Sequence, residues 1–168
     1  AIFQIAPGNK VAWPSDLPGE LAATAYSCGT SNAAALTSRA AGVCYDSLQQ
    51  IFNEQASDLE SRAYEVPLLK AMLVHGCSWS GFWSRIAEVL RTPDNGPQLS
   101  GLIRRWMGYG MPQVDRVVDC TGQRATLLGF GQLADGEAHV FALPLPPSLG
   151  SRPDWRRLTV TLAWLSPI

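Results

Sequence analysis

The chain has 168 residues, of which 46% are hydrophobic and only 16% charged, and its formal net charge is -1. This length allows one ordinary domain, or one and a half small ones, with a real buried core. The near-neutral balance leaves no electrostatic footprint for nucleic acid, and a charged share below the roughly 25% usual in soluble domains points to apolar surface kept for a partner.

The pairs Arg104-Arg105 and Arg156-Arg157 are too short to make a basic patch. No window approaches the ~20 apolar residues needed to cross a bilayer. Nucleic acid and membrane are therefore not expected partners. The four cysteines, Cys28, Cys44, Cys77 and Cys120, contain no Cys-X-X-Cys pair, and neither His75 nor His139 is set among them. No metal site is expected from such spacing, no loop has calcium-ligand spacing, and no cofactor is implied. The cysteines read as partly buried thiols of a reducing compartment, which places the protein in the cytoplasm.

In chain order, "AIFQIA" is an apolar run closed by Pro7-Gly8 and reads as a buried strand with a turn. Residues 9 to 27, with Pro14, Pro18 and Gly19, read as irregular or hairpin structure. From Ser31 to about Phe52, apolar residues recur at three- and four-residue steps, which predicts a helix. Its first half is built from small residues, and close helix packing is expected to bury it deeply. Ser57-Asp58-Leu59-Glu60 matches a capping box and predicts a second helix. Pro67 suits the first turn of a third, "PLLKAMLVHG", which Gly76 ends. "SGFWSRIAEVL" is a fourth, and residues 92 to 101 read as a loop.

After about Val118 the pattern changes. "RATLLGFGQL" and "EAHVFALPL" flank Asp135-Gly136, a hairpin signal. "RRLTVTLAWL" places Leu158, Val160, Leu162 and Trp164 on one face of a strand. Helices followed by strands suggest two organisational parts, with a boundary near residue 120. The chain begins without Met and ends inside an apparent strand, so it reads as a fragment of a larger protein.

The stretch with most chemical content is "CGTSNAAA". A serine in the first turn of a helix lies among unpaired backbone N–H groups, at the positive end of the helix dipole. Such groups stabilise an oxyanion formed when a serine hydroxyl attacks a carbonyl. Gly29, lacking a side chain, lets a substrate backbone pass close by. The same residues also describe an ordinary helix cap.

"GTSNAAA" resembles the Gly-Thr-Ser-X-Ala-Ala signature around the catalytic serine of subtilisin-like serine peptidases, the subtilases. "AIFQIAPG" is similar to the strand ending in Ala-Pro-Gly that precedes that serine, and "EVPLLKAMLVHGC" to the helix that follows the nucleophile helix. "MGYGMPQVDRVV" is similar to the Gly-X-Gly element that closes the catalytic domain. The resemblance covers about residues 1 to 120. It implies an α/β fold: residues 1–120 as the C-terminal half of a subtilase-like catalytic domain, and residues 121–168 as antiparallel strands beginning a truncated β-sandwich. Asn32 stands where methionine is commoner, and Ala35-Leu36 where many subtilases have Pro-His, which marks a divergent branch.

By this resemblance, Ser31 is the acyl-transfer nucleophile, with its own N–H in the oxyanion hole, and Gly29 and Thr30 bind substrate. The triad order along the chain is Asp, His, Ser, so the aspartate and histidine come from an upstream part of the same protein. The substrate is a peptide or protein, and the isolated chain is expected to be inactive. His75 reads instead as a helix-end histidine interacting with the dipole, and His139 as a strand surface residue. Asp115 and Asp119 read as structural or solvated, and Cys28 as a packing thiol beside the site. The open strand edge at the end of the chain is expected to pair, for instance with a second copy. The alternative reading is a non-catalytic subtilase-like protein, or a module whose β region binds a partner.

Overall fold

The computed structural model describes residues 2–3, 8–55, 62–79, 81–92, 95–122, 124–143 and 157–166. The first elements are short strands: β1 (Ile2–Phe3), β2 (Asn9–Ala12) and β3 (Thr24–Ser27), in an antiparallel sheet of order β1-β3-β2. The β2–β3 hairpin pairs Asn9 with Ser27 and Ala12 with Thr24. Beyond the ladder the Trp13 amide donates to the Ala23 carbonyl at 3.0 Å. Residues 9–27 therefore form the hairpin version of the two structures their composition allows. The loop is held locally, with the Leu17 amide on Ser15 Oγ at 3.0 Å and the Ser15 hydroxyl on the Glu20 carboxylate. Gly8 has φ +144°, and a Cβ there would stand 2.8 Å from the Ser27 carbonyl oxygen, so glycine is required for the chain to enter β2.

After Ser27 the chain turns into α1 (Thr30–Gln55). Its first hydrogen bond runs from the Ala33 amide to the Gly29 carbonyl, at 3.1 Å. Compact packing divides the chain into Ala1–Ala41 and Gly42–Ile168, a division that falls inside this helix. The expectation that the alanine-rich first half of α1 is deeply buried is not met. Ala33, Ala34, Ala35 and Leu36 are exposed, and only Ala40 is buried. Small side chains permit close packing but do not enforce it. Enforcement comes from large apolar groups, which this half lacks.

In Gly42–Ile168 the large groups are present. Cys44, Leu48 and Phe52 follow one another at four-residue steps on α1 and are buried. They pack with Leu68 and Met72, also four apart, from α2 (Glu65–Gly76), and with Val117 from α5 (Asp115–Val118). Tyr64, Leu69, Leu73 and Leu128 close this cluster from the sides. Gly76 allows the close contact of α2 with α5, since a Cβ there would stand 2.8 Å from Val117 Cγ2. The capping box at residues 57–60 lies outside the described residues.

Between α2 and α5 the chain runs through β4 (Cys77–Ser78), α3 (Phe82–Leu90), α4 (Gly96–Met107) and β5 (Met111–Pro112). Strands β4 and β5 pair antiparallel, Cys77 with Pro112 and Ser78 with Met111. Helix α4 takes residues 96–101 out of the loop expected over residues 92–101. Pro97 is compatible with it because it lies in the first helical turn, where a missing N–H costs no hydrogen bond. Asn95 stabilises the approach by donating to the Leu90 carbonyl at 2.7 Å and accepting from the Thr92 amide at 2.9 Å. Leu99 and Ile103 then pack with Ala87 as a second buried cluster, flanked by Trp79, Trp83, Ile86 and Met107.

Among the described residues after Val118, the expected strands are not formed; residues 144–156 of that region lie outside the described residues. Among the described residues there, the only pairing is an isolated bridge between Thr121 and Arg124. The Asp135-Gly136 turn does form, with Gly136 at φ +80° and the Glu137 amide on the Ala134 carbonyl at 3.1 Å. Its arms face each other through side chains: the Phe141 ring lies against Gly129 and the His139 ring against Gly131. The architecture is thus mixed α and β, with two small antiparallel sheets.

Candidate active site

The strand-to-helix connection after β3 places Ser31 as the second residue of α1. Gly29, Thr30 and Ser31 are all exposed. A Cβ at Gly29 would meet nothing within 4 Å, so space is open on that side of the turn. The amides in a first helical turn have no intrahelical partner, and the helix dipole adds positive potential there. The serine hydroxyl thus stands beside unpaired donors, in contact with solvent. One tie fixes the turn: Asn32 Nδ2 donates to Ser27 Oγ at 2.9 Å, joining the end of β3 to the first turn of α1. The sequence does not single out Ser27. Its signal is only a hydroxyl placed five residues before a half-buried amide.

Cys28 is exposed, which corrects its reading as a packing thiol. Cys120 is exposed too, whereas Cys44 is buried and Cys77 half-buried. Burial pushes the Cys44 and Cys77 thiols above their ordinary pKa. Both therefore stay protonated near neutrality and are poor nucleophiles. Among the described residues no three histidine, cysteine or acidic side chains stand together as metal ligands. No helix among them is long and apolar enough to cross a membrane.

The two histidines belong to the Gly42–Ile168 unit. His75 is in the last turn of α2, and its Nδ1 lies 3.0 Å from Thr161 Oγ1. Burial, followed by the positive charges of Arg116 and Arg157, holds its pKa below the ordinary value. His75 is at the helix end expected for it; the dipole there would favour the imidazolium, whereas burial and the two guanidinium groups act in the opposite direction. His139 is exposed and meets Phe141 edge-on, with centroids 6.2 Å apart. Asp115 and Asp119 are exposed, as read from the sequence. Their backbone carbonyls, not their carboxylates, accept from Arg124.

No protein-family model, curated protein or solved structure matches the chain. The likeness to subtilases therefore stands on the four quoted sequence segments alone.

Proposed function

We propose that the chain is the nucleophile-bearing part of a subtilisin-like serine endopeptidase. The observation that carries this reading is the position of Ser31, which is exposed in the first turn of α1 within the Gly-Thr-Ser-Asn-Ala-Ala motif. In this reading Ser31 Oγ attacks the scissile carbonyl. A histidine from the upstream part of the protein takes the serine proton, and an aspartate orients that histidine. The oxyanion is received by the Ser31 N–H at the head of the helix. Gly29 and Thr30 line the substrate path. The amine product leaves with the proton held by histidine, and water then hydrolyses the acyl-serine.

The exposure of Leu36 in the first half of α1 supports a covering partner there, and the upstream part of the protein is the partner we assign. Without it the serine has no base, and the 168-residue chain alone is inactive. The test is labelling with a fluorophosphonate of the protein expressed with its upstream sequence, beside its Ser31→Ala variant. Labelling confined to the unsubstituted protein is the expected result. A folded protein that does not label would overturn the reading.

A second reading is favoured by another observation. Leu158, Val160, Leu162 and Trp164, the alternating face of residues 157–166, are all exposed by more than 60% of their surface. A stripe of this kind suits a module that binds a partner, and it remains available whether or not the serine is active.

A further inference from the structure

The Gly-Tyr-Gly segment after α4 has a place in the structure that the serine chemistry does not use. Gly108 and Gly110 have φ +57° and +98°, and they hold Tyr109 outward between them, 71% exposed. A Cβ at Gly110 would stand 2.5 Å from the Ser78 carbonyl oxygen, so the turn is pressed directly onto β4. The Trp79 indole N–H donates to the Gly108 carbonyl at 3.1 Å, which fixes the ring against the turn. Trp83, four residues on, stacks on Trp79 with centroids 5.2 Å apart and an angle of 22° between planes. These groups, with Cys77, Ser78 and Arg157, line a cavity of about 300 Å³.

Half of the lining is aromatic, and the Trp79 ring, held by the Gly108 carbonyl, orients the stacked Trp83 ring, which reduces the ordering cost of binding. Of the described lining residues, Arg157 alone is charged and none is a carboxylate. Cys77 adds no negative charge, because burial keeps its thiol protonated and its Sγ contacts the Leu73 carbonyl at 3.2 Å. The charge of Arg157 is felt at His75, where it helps to lower the pKa. A second cavity, of about 350 Å³, is lined by Glu88 and Arg91, whose opposite charges offset each other. The first hollow therefore sets three aromatic rings beside one cation, with no carboxylate among its described lining residues. At about 300 Å³ and open on one side, the hollow has room for one ring system.

We propose that the cavity between Trp79, Trp83 and Tyr109 binds a small planar aromatic carboxylate, with the ring against the indoles and the carboxylate on Arg157. The ring gains stacking and buried area, and the planar guanidinium matches the carboxylate with two parallel hydrogen bonds.

The test is titration of the 168-residue chain with cinnamate, followed through the indole N–H resonances of its six tryptophans. Saturable shifts at Trp79 and Trp83 are expected. Uncharged cinnamamide and the Arg157→Gln variant should each bind about tenfold more weakly, the worth of one charge-assisted contact. Tyr109→Ala should weaken binding a few-fold. Arg157 and Tyr109 are both exposed, so neither substitution removes core packing. Absence of saturable shifts at these two indoles would overturn the site. Equal affinity for cinnamate, for cinnamamide and in the Arg157→Gln variant would overturn the role of charge. Binding of N-acetyl-phenylalanine about tenfold tighter than cinnamate would show a peptide C-terminus as the ligand, and would overturn the small-molecule assignment.

Discussion

The two halves of α1 belong to one continuous helix but do different physical work. From Gly42 onward, Cys44, Leu48 and Phe52 are buried and anchor a cluster shared with α2 and α5. Before Gly42, nearly every side chain is exposed, and the residues that resemble a catalytic motif stand at the very start. The C-terminal half therefore contributes stability. The N-terminal half contributes a presented hydroxyl and an apolar surface with little packed on it. A helix can be held by half its length because its backbone hydrogen bonds propagate order from the anchored turns.

The largest expected effect separates these roles by activity. In the protein expressed with its upstream sequence, Ser31→Ala should lower peptide hydrolysis by more than about a thousandfold, as nucleophile removal does elsewhere. Its melting temperature should not change, because the side chain is exposed and carries no packing. Loss of both properties together would show that Ser31 is a structural cap and not a nucleophile.

The next contrast concerns stability alone. Leu48→Ala removes a fully buried side chain, and should cost about 3 kcal/mol in denaturant unfolding. Leu36→Ala, on the exposed half of the same helix and 49% exposed, should cost no more than about 0.5 kcal/mol in the isolated chain. A similar loss at both positions would mean that the exposed half is covered, in solution, by another copy of the chain.

A pair of glycines sharpens the same division. Gly110→Ala forces a side chain onto a φ of +98° and against the Ser78 carbonyl, and should destabilise the chain by about 1–3 kcal/mol. Gly29→Ala meets open space and should change unfolding by less than about 0.5 kcal/mol. It should nonetheless slow fluorophosphonate labelling of the protein with its upstream sequence, because the new methyl group occupies the substrate path assigned above.

What could be read from the sequence follows the same physical line. Large apolar residues at helical spacing, as Leu68 and Met72 in α2, show both the helix and its buried face. Alanine runs show the helix but not the burial, because a small side chain fits either environment, and the first half of α1 is exposed for that reason. The start of α4 fell within the expected loop; Pro97 permits a helix there, since proline ends a helix in its interior but opens one in its first turn. The hairpin at Asp135-Gly136 announced its turn correctly. Its arms carry Gly129 and Gly131 opposite aromatic rings, and glycine disfavours a regular ladder. The sequence placed Ser31 at a helix start, where α1 has it, whereas the hollow was not foreseen, because it joins residues 77–83, Tyr109 and Arg157 from three separate segments. The hint in the sequence was two tryptophans spaced by four in "CSWSGFW", Trp79 and Trp83.

The smallest expected effect is a pH dependence, and its sign distinguishes a neutral His75 from a charged helix-end histidine. Burial first, then Arg116 and Arg157, hold the folded-state pKa of His75 below its ordinary value. As pH falls through the ordinary histidine range, the unfolded chain takes up a proton at this position while the folded chain does not. Stability is therefore fully present above the unfolded pKa and declines as pH falls toward the folded one. His75→Gln retains a polar group that can reach Thr161 Oγ1 and removes the titration, so it should flatten that decline. The measurement is urea unfolding across the weakly acidic range, for the natural chain and for the variant. A histidine held charged by the helix C-terminus would give the opposite slope, with stability rising as the pH is lowered through its titration. That outcome would place the dipole above burial and the two arginines in deciding the charge at the end of α2.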